Sequence, residues 1–165
     1  MLVFLDTEFT KFLHSDLISL ALVCEDGREL YAERTDFYPK QCSDFVHQNV
    51  LPLLGRVSGA ACTRIELTQR VRDWFAQFPE PPTVVFDYEK DFGLLAVAML
   101  GRPSSKPPGD FSKQLHLDSA AFAHPVFEKA MNETYTAEFP MHHALADARA
   151  LMAGYRAWRS LGLTP

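Results

Sequence analysis

The sequence predicts an α/β fold in which one mixed β-sheet is covered by helices. Three features predict it: early extended segments joined by a tight-turn signal, a capped helix leading into a short β-branched strand, and a long amphipathic helix near the end. At 165 residues, with 47% hydrophobic and 22% charged side chains, the chain reads as one domain, 1–165. That size can bury a core without disulfides or a structural metal.

The elements follow in order. Residues 2–6 of MLVFLDTEFT read as a first strand, DLISLALVCE (16–25) as a second and RELYAERT (28–35) as a third. Asp26-Gly27 between the last two is a hairpin signal, because glycine accepts the positive φ of a tight turn, so the sheet begins antiparallel. SDFVHQNVLPLLG (43–55) has helical spacing that Pro52 interrupts. Thr63 with Glu66 forms a capping box, which places a helix over 64–78. PEPP (79–82) stops it, and TVVFD (83–87) is the kind of strand reached by a crossover. DFGLLAVAML (91–100) is helical, and QLHLD (114–118) is the fifth and last strand, followed by helical text to about 132. ALADARALMAGYRAWRSL is the final helix. The stretch 101–113 shows neither period and reads as a mobile loop whose cations Arg102, Lys106 and Lys113 are solvated.

A net charge of -5 argues against a generally basic, DNA-coating surface and leaves room only for local nucleic-acid contacts. Cys24, Cys42 and Cys62 are odd in number and lack zinc spacing, so they read as reduced thiols of a cytoplasmic protein. No apolar run reaches the roughly 18 residues of a membrane span, and no basic segment precedes the apolar start.

Acids stand where apolar residues belong. Leu2, Phe4, Asp6 and Glu8 share one strand face. In the last helix, Ala144, Ala148, Leu151, Tyr155 and Trp158 form an apolar stripe with Asp147 at its edge, apart from Arg149, Arg156 and Arg159. Asp87 ends a strand and Asp91 starts a helix, where ligand sites of α/β sheets collect. The bland reading of Asp91 is a helix cap. His142 lies five residues before Asp147, about 140° away around a helix, so both can face one site only if His142 precedes the helix proper. Pro140 favours an extended approach there. Converging oxygen ligands call for hard divalent cations, Mg²⁺ or Mn²⁺, and two such ions about 4 Å apart serve in-line phosphoryl displacement. His142 is then placed to take a proton from the attacking water.

LDTEF, DYEKDFGLL and HHALADARAL, in that order, resemble the three motifs of the DEDDh group of 3′-5′ exonucleases, which have the ribonuclease H-like fold. The resemblance runs from residue 3 to about 155, and its most specific part is HHALADA, with histidine five before the aspartate. The short form, with DTEF at the start and an early hairpin, is similar to a compact bacterial exoribonuclease family first described from mycobacteria. The resemblance implies a mixed five-stranded sheet and two metal ions held by Asp6, Glu8, Asp91 and Asp147, with His142 as general base. It implies a substrate of single-stranded RNA or DNA with a free 3′ end, no membrane, and pairing as a homodimer. Thr7, Phe9 and Phe92, beside the motifs, are candidate substrate contacts, the two rings as stacking platforms for a base. Asp87 departs from the pattern, which has asparagine in many relatives, and its partner stays open. The rivals are a non-catalytic metal- and nucleic-acid-binding module, a DNA-directed exonuclease of the same fold and an endonuclease. His143 reads as an exposed or helix-N-terminal residue, and His116 and Asp118 as structural.

Overall fold

Apolar residues occupy both faces of the first strand, Val3 and Leu5 on one side and Leu2 and Phe4 on the other, which suits a strand covered twice. The computed structural model, which describes residues 1–101 and 111–163, places that strand inside the sheet. The strands are β1 (Leu2–Phe9), β2 (Leu17–Cys24), β3 (Glu29–Arg34), β4 (Ala61–Cys62), β5 (Thr83–Phe86) and β6 (Lys113–His116). Their order is β4-β3-β2-β1-β5-β6, so the sheet has six strands where the sequence predicts five. The extra strand, β4, is two residues long, too short to show a period. It is held by Glu33 N–H donating to the Ala60 carbonyl (2.9 Å) and Thr35 N–H to that of Cys62 (2.9 Å). β1–β2 and β2–β3 are antiparallel, whereas β3–β4, β1–β5 and β5–β6 are parallel. Gly27 turns the β2–β3 hairpin at φ 92°.

The helices are α1 (Asp44–Asn49), α2 (Arg64–Phe75), α3 (Glu89–Leu100), α4 (Ser119–Phe122), α5 (Pro125–Asn132) and α6 (Ala144–Arg159). Pro52 ends α1's run by entering a 3₁₀ turn, Leu51–Leu53. The capping box of Thr63 and Glu66 opens α2. That helix stops short of residue 78, where Trp74 and Phe75 both meet Phe78. Lys113 belongs to β6, and Arg102 and Lys106 lie outside the described residues. All three cysteines are free thiols. No helix among the described residues is long and apolar enough to cross a membrane.

Two cores sandwich the sheet. Val3, Leu5, Leu20 and Leu22 pack on Leu67 and Val71 of α2 and Leu95 of α3. On the opposite face Phe4 and Val85 pack on Phe127 of α5 and Leu151, Tyr155 and Trp158 of α6, and Ala21 and Val23 on Ala144 and Ala148. The parallel pairing of β1 and β5 brings their carboxyl ends to one edge, where α3 also begins.

Gly154 sets how closely α5 and α6 approach. A Cβ there would lie 2.5 Å from Cε1 of the fully buried Phe127 and 2.9 Å from Cγ of Met131. Gly154→Ala is therefore expected to lose about 2 kcal/mol in chemical denaturation, overpacking outweighing the roughly 1 kcal/mol gain in helix propensity. An unchanged or raised midpoint contradicts this packing.

Candidate active site

The acids reach the sheet edge by different local routes. In β1, Asp6 pairs with Ala21 and Glu8 with Ser19, and a bulge between Glu8 and Phe9 ends the regular ladder. Bulges of this kind re-aim side chains at the rim of a sheet. Asp87 follows the last residue of β5, and Asp91 is the third residue of α3. Asp147 is the fourth residue of α6, on the exposed margin of that helix's buried stripe.

These routes converge. Ligand atoms of Glu8, His142 and Asp147 lie within 4.8 Å of one another, and so do those of Asp6, Asp87 and Asp91. Asp87, whose partner the sequence leaves open, thus stands with Asp6 and Asp91. Asp91 is no cap: its Oδ1 accepts the buried Thr7 hydroxyl at 2.6 Å, a bond spanning 84 residues. Asp147 Oδ1 accepts the Tyr135 hydroxyl (2.8 Å), and its Oδ2 accepts the His142 N–H (2.9 Å). Oδ2 of Asp6 is buried with no partner among the described residues. A cavity of about 240 Å³ opens over Asp6, Asp87, Tyr135, His142 and Asp147.

Crowding shows in the proton affinities. Burial, together with the charges of Asp147, Glu8 and Asp91, holds the Asp6 carboxyl well above the usual carboxylate range. Burial and then Asp147 and Asp91 push Glu8 up to about 9. Asp91 is pushed up to about 7, burial outweighing the Thr7 hydroxyl, which favours the charged form. Asp147 rises to about 6 for the same reason, against its bonds from Tyr135 and the His142 backbone.

His142 stands ahead of α6, as its spacing from Asp147 requires, but by a different device. It adopts a left-handed conformation, φ 70°, while His143 is the N-cap. Left-handed backbone is uncommon for a non-glycine residue, and histidine is among those that tolerate it best. The turn lets the His142 N–H bond Asp147 and brings its ring into the same cluster. Burial lowers the His142 pKa, which favours the neutral imidazole. The edge-on ring of Phe45 lies 5.0 Å from it.

Other predicted residues are distributed as follows. Thr7 orients Asp91. Phe9 is half-buried, stacked on Tyr88 at 6.4 Å with the Lys90 ammonium 5.3 Å above its ring. Phe92 packs into the α2–α3 core against Phe86 and Phe111. His143 is not exposed: it is 1% accessible, stacked on Tyr31 at 4.8 Å, because the N-cap position of α6 lies over β3. Asp118 caps α4, and His116 Nε2 bonds the Asp87 carbonyl. Tyr135 and Phe45 are the residues sequence reasoning missed. Neither belongs to a motif or a periodic stripe, though a tyrosine in an aperiodic stretch ahead of a buried acid is a possible donor to it.

No protein-family model matches the chain. Two curated proteins, both named 3′-5′ exoribonuclease and both from strains of Mycobacterium tuberculosis, are each 47% identical to it over 55 residues. This chain is similar, over that stretch, to 3′-5′ exoribonucleases. The match covers 33% of the chain and 33% of either relative, so the chain spans about a third of the length of the curated relatives it matches.

The raised acids carry a consequence for stability. Glu8 binds its proton more tightly in the folded chain than in the unfolded one, so stability is present at low pH and is lost as pH rises toward about 9. With divalent ions chelated, the thermal midpoint is expected to fall by about 5 °C between pH 7 and pH 9, and Glu8→Gln to remove most of that fall. A flat profile in the unsubstituted protein contradicts the crowding.

Proposed function

We propose that the chain is a metal-dependent 3′-5′ exonuclease with a ribonuclease H-like fold. It hydrolyses the 3′-terminal phosphodiester of single-stranded nucleic acid, RNA by preference, and releases nucleoside 5′-monophosphates. One observation carries the reading: five carboxylates drawn from β1, the β5–α3 junction and α6 meet at one sheet edge together with His142. Buried carboxylates without partners cost several kcal/mol, so their convergence calls for a compensating cation. The names of the mycobacterial relatives support RNA as the substrate.

The residues fit divalent ions. The carboxylates are oxygen donors of the kind Mg²⁺ and Mn²⁺ take, and Asp6, a member of the cluster, has a buried oxygen, Oδ2, with no hydrogen-bond partner among the described residues. Asp6 with Asp87 and Asp91 would hold one ion, and Glu8 with Asp147 the other, Asp6 lying between. Bound there, the ions supply a lowered pKa for the attacking water and neutralisation of charge on the departing 3′ oxygen.

The rest of the chemistry falls to the chain. His142, whose neutral form burial favours, accepts the proton of the attacking water. Tyr135 and the His142 N–H hold Asp147 in place, and Thr7 does the same for Asp91. Phe45, half exposed beside the His142 ring, offers an aromatic surface to the base of the terminal nucleotide.

The test gives 5′-labelled linear strands and circular strands, RNA and DNA, to the protein with Mg²⁺, Mn²⁺ or EDTA. Stepwise shortening of linear RNA with either ion is expected, abolished by EDTA and slowed about 100-fold or more in His142→Asn, which tolerates the left-handed backbone. Cleavage of circles assigns an endonuclease, preference for DNA a DNA-directed exonuclease, and binding without cleavage a non-catalytic module. In the same assay Phe45→Ala should raise KM about tenfold with kcat nearly unchanged, since stacking is worth about 1–3 kcal/mol per base.

A further inference from the structure

A second concavity lies on the α2–α3 face of the sheet. It measures about 410 Å³, and its apolar wall is formed by Leu17 of β2, Leu67 of α2 and Leu94, Val97 and Ala98 of α3. A largely apolar pocket of this size, with a few converging polar groups, is the usual form of a small-ligand site. Arg34, Arg64, Asp16 and Gln41 supply those groups.

Arg34 is a guanidinium buried to 3% exposure. Its Nε donates to Asp36 (2.9 Å), and its Nη1 to Asp16 (2.5 Å) and to the Leu17 carbonyl (3.1 Å). Among the described residues Nη2 has no acceptor, which leaves its donors for a ligand in the cavity that Arg34 lines. Arg64 is 38% exposed, and among the described residues its guanidinium donates only from Nη2, to Asp16 (3.0 Å). Asp16 is already engaged, one oxygen accepting from both guanidiniums and from the Leu17 N–H. The two guanidiniums are matched by two carboxylates, Asp16 in the lining and Asp36 outside it, which pairs with Arg34 and accepts the Arg64 backbone N–H, so it is the unused donors of Arg34 Nη2 and Arg64 that remain for a ligand.

Helix α3 borders both this cavity and the acids. Asp91 belongs to the acidic cluster, and Leu94, three residues on and about 4.5 Å along the helix axis, belongs to the cavity wall. A groove over Ser15, Glu89, Lys90, Gly93, Leu94 and Val97 adjoins it.

We propose that the cavity is a second nucleotide site. It takes a base against Leu67, Leu94 and Val97 and a phosphate on Arg64 and Nη2 of Arg34. The choice of ligand rests on the exonuclease reading. The nucleotide is either an upstream unit of the bound strand or a free nucleoside monophosphate. An anion binds here without divalent ions, whereas the bare acids repel it.

Adenosine 5′-monophosphate titrated in EDTA, followed by methyl NMR, tests the site. Shifts are expected at the Leu94, Val97 and Ala98 methyls, weakened about tenfold in affinity by Arg64→Ala and lost in Val97→Phe, which fills the cavity. If the strand is the source, the ratio of KM for a hexanucleotide to KM for a dinucleotide rises about tenfold in Arg64→Ala. If the free nucleotide is the source, the methyl shifts appear and that ratio stays constant. Shifts confined to residues around the acids, or neither shifts nor a change in the ratio, overturn the proposal. A protein that cleaves nothing overturns the exonuclease reading instead, and the titration still decides this one.

Discussion

Repulsion between like charges is the constraint on which this structure depends. Five carboxylates at one sheet edge lose hydration and push on one another, and the surrounding elements are arranged to tolerate them. Thr7 and Tyr135 spend their hydroxyl protons on Asp91 and Asp147, and the His142 backbone adds a further donor. These donors favour the charged forms but do not offset burial, which is why Glu8, Asp91 and Asp147 all stand above the ordinary carboxylate range. The folded chain stores unfavourable electrostatic energy at one place, and a bound cation would release it.

The sheet separates two kinds of electrostatics. At the edge facing α6 the groups are acids with raised proton affinity, whereas on the α2–α3 face two arginines share Asp16. Helix α3 connects them, carrying Asp91 in its first turn and the apolar wall of the second concavity further along. The distance between the two regions is thus set by a rigid element rather than by a loop.

Much of this was legible in the sequence because acids broke otherwise regular patterns. Asp6 and Glu8 interrupt an apolar strand face, and Asp147 edges an apolar helical stripe, so their inward aim follows from period alone. The capping box announced α2, and Asp26-Gly27 announced the hairpin. What stayed hidden depends on tertiary neighbours. β4 exists only because β3 offers an edge to two residues. The left-handed turn at His142 replaces the extended approach that Pro140 predicts, because the N–H must reach Asp147. His143 is the helix-N-terminal residue that one of its two sequence readings gives, but it is buried against Tyr31, which its polarity does not announce. Tyr135 reaches the site from a segment with no pattern of its own, and Phe45 from a helix whose spacing says nothing of which site it borders.

The division of the site between elements has a mechanical consequence. Four of the five carboxylates stand on β1 and the β5–α3 junction, while Asp147 travels with His142 at the start of α6. A shift in how α6 docks on the sheet would carry the imidazole and one acid together and leave the other four where they are.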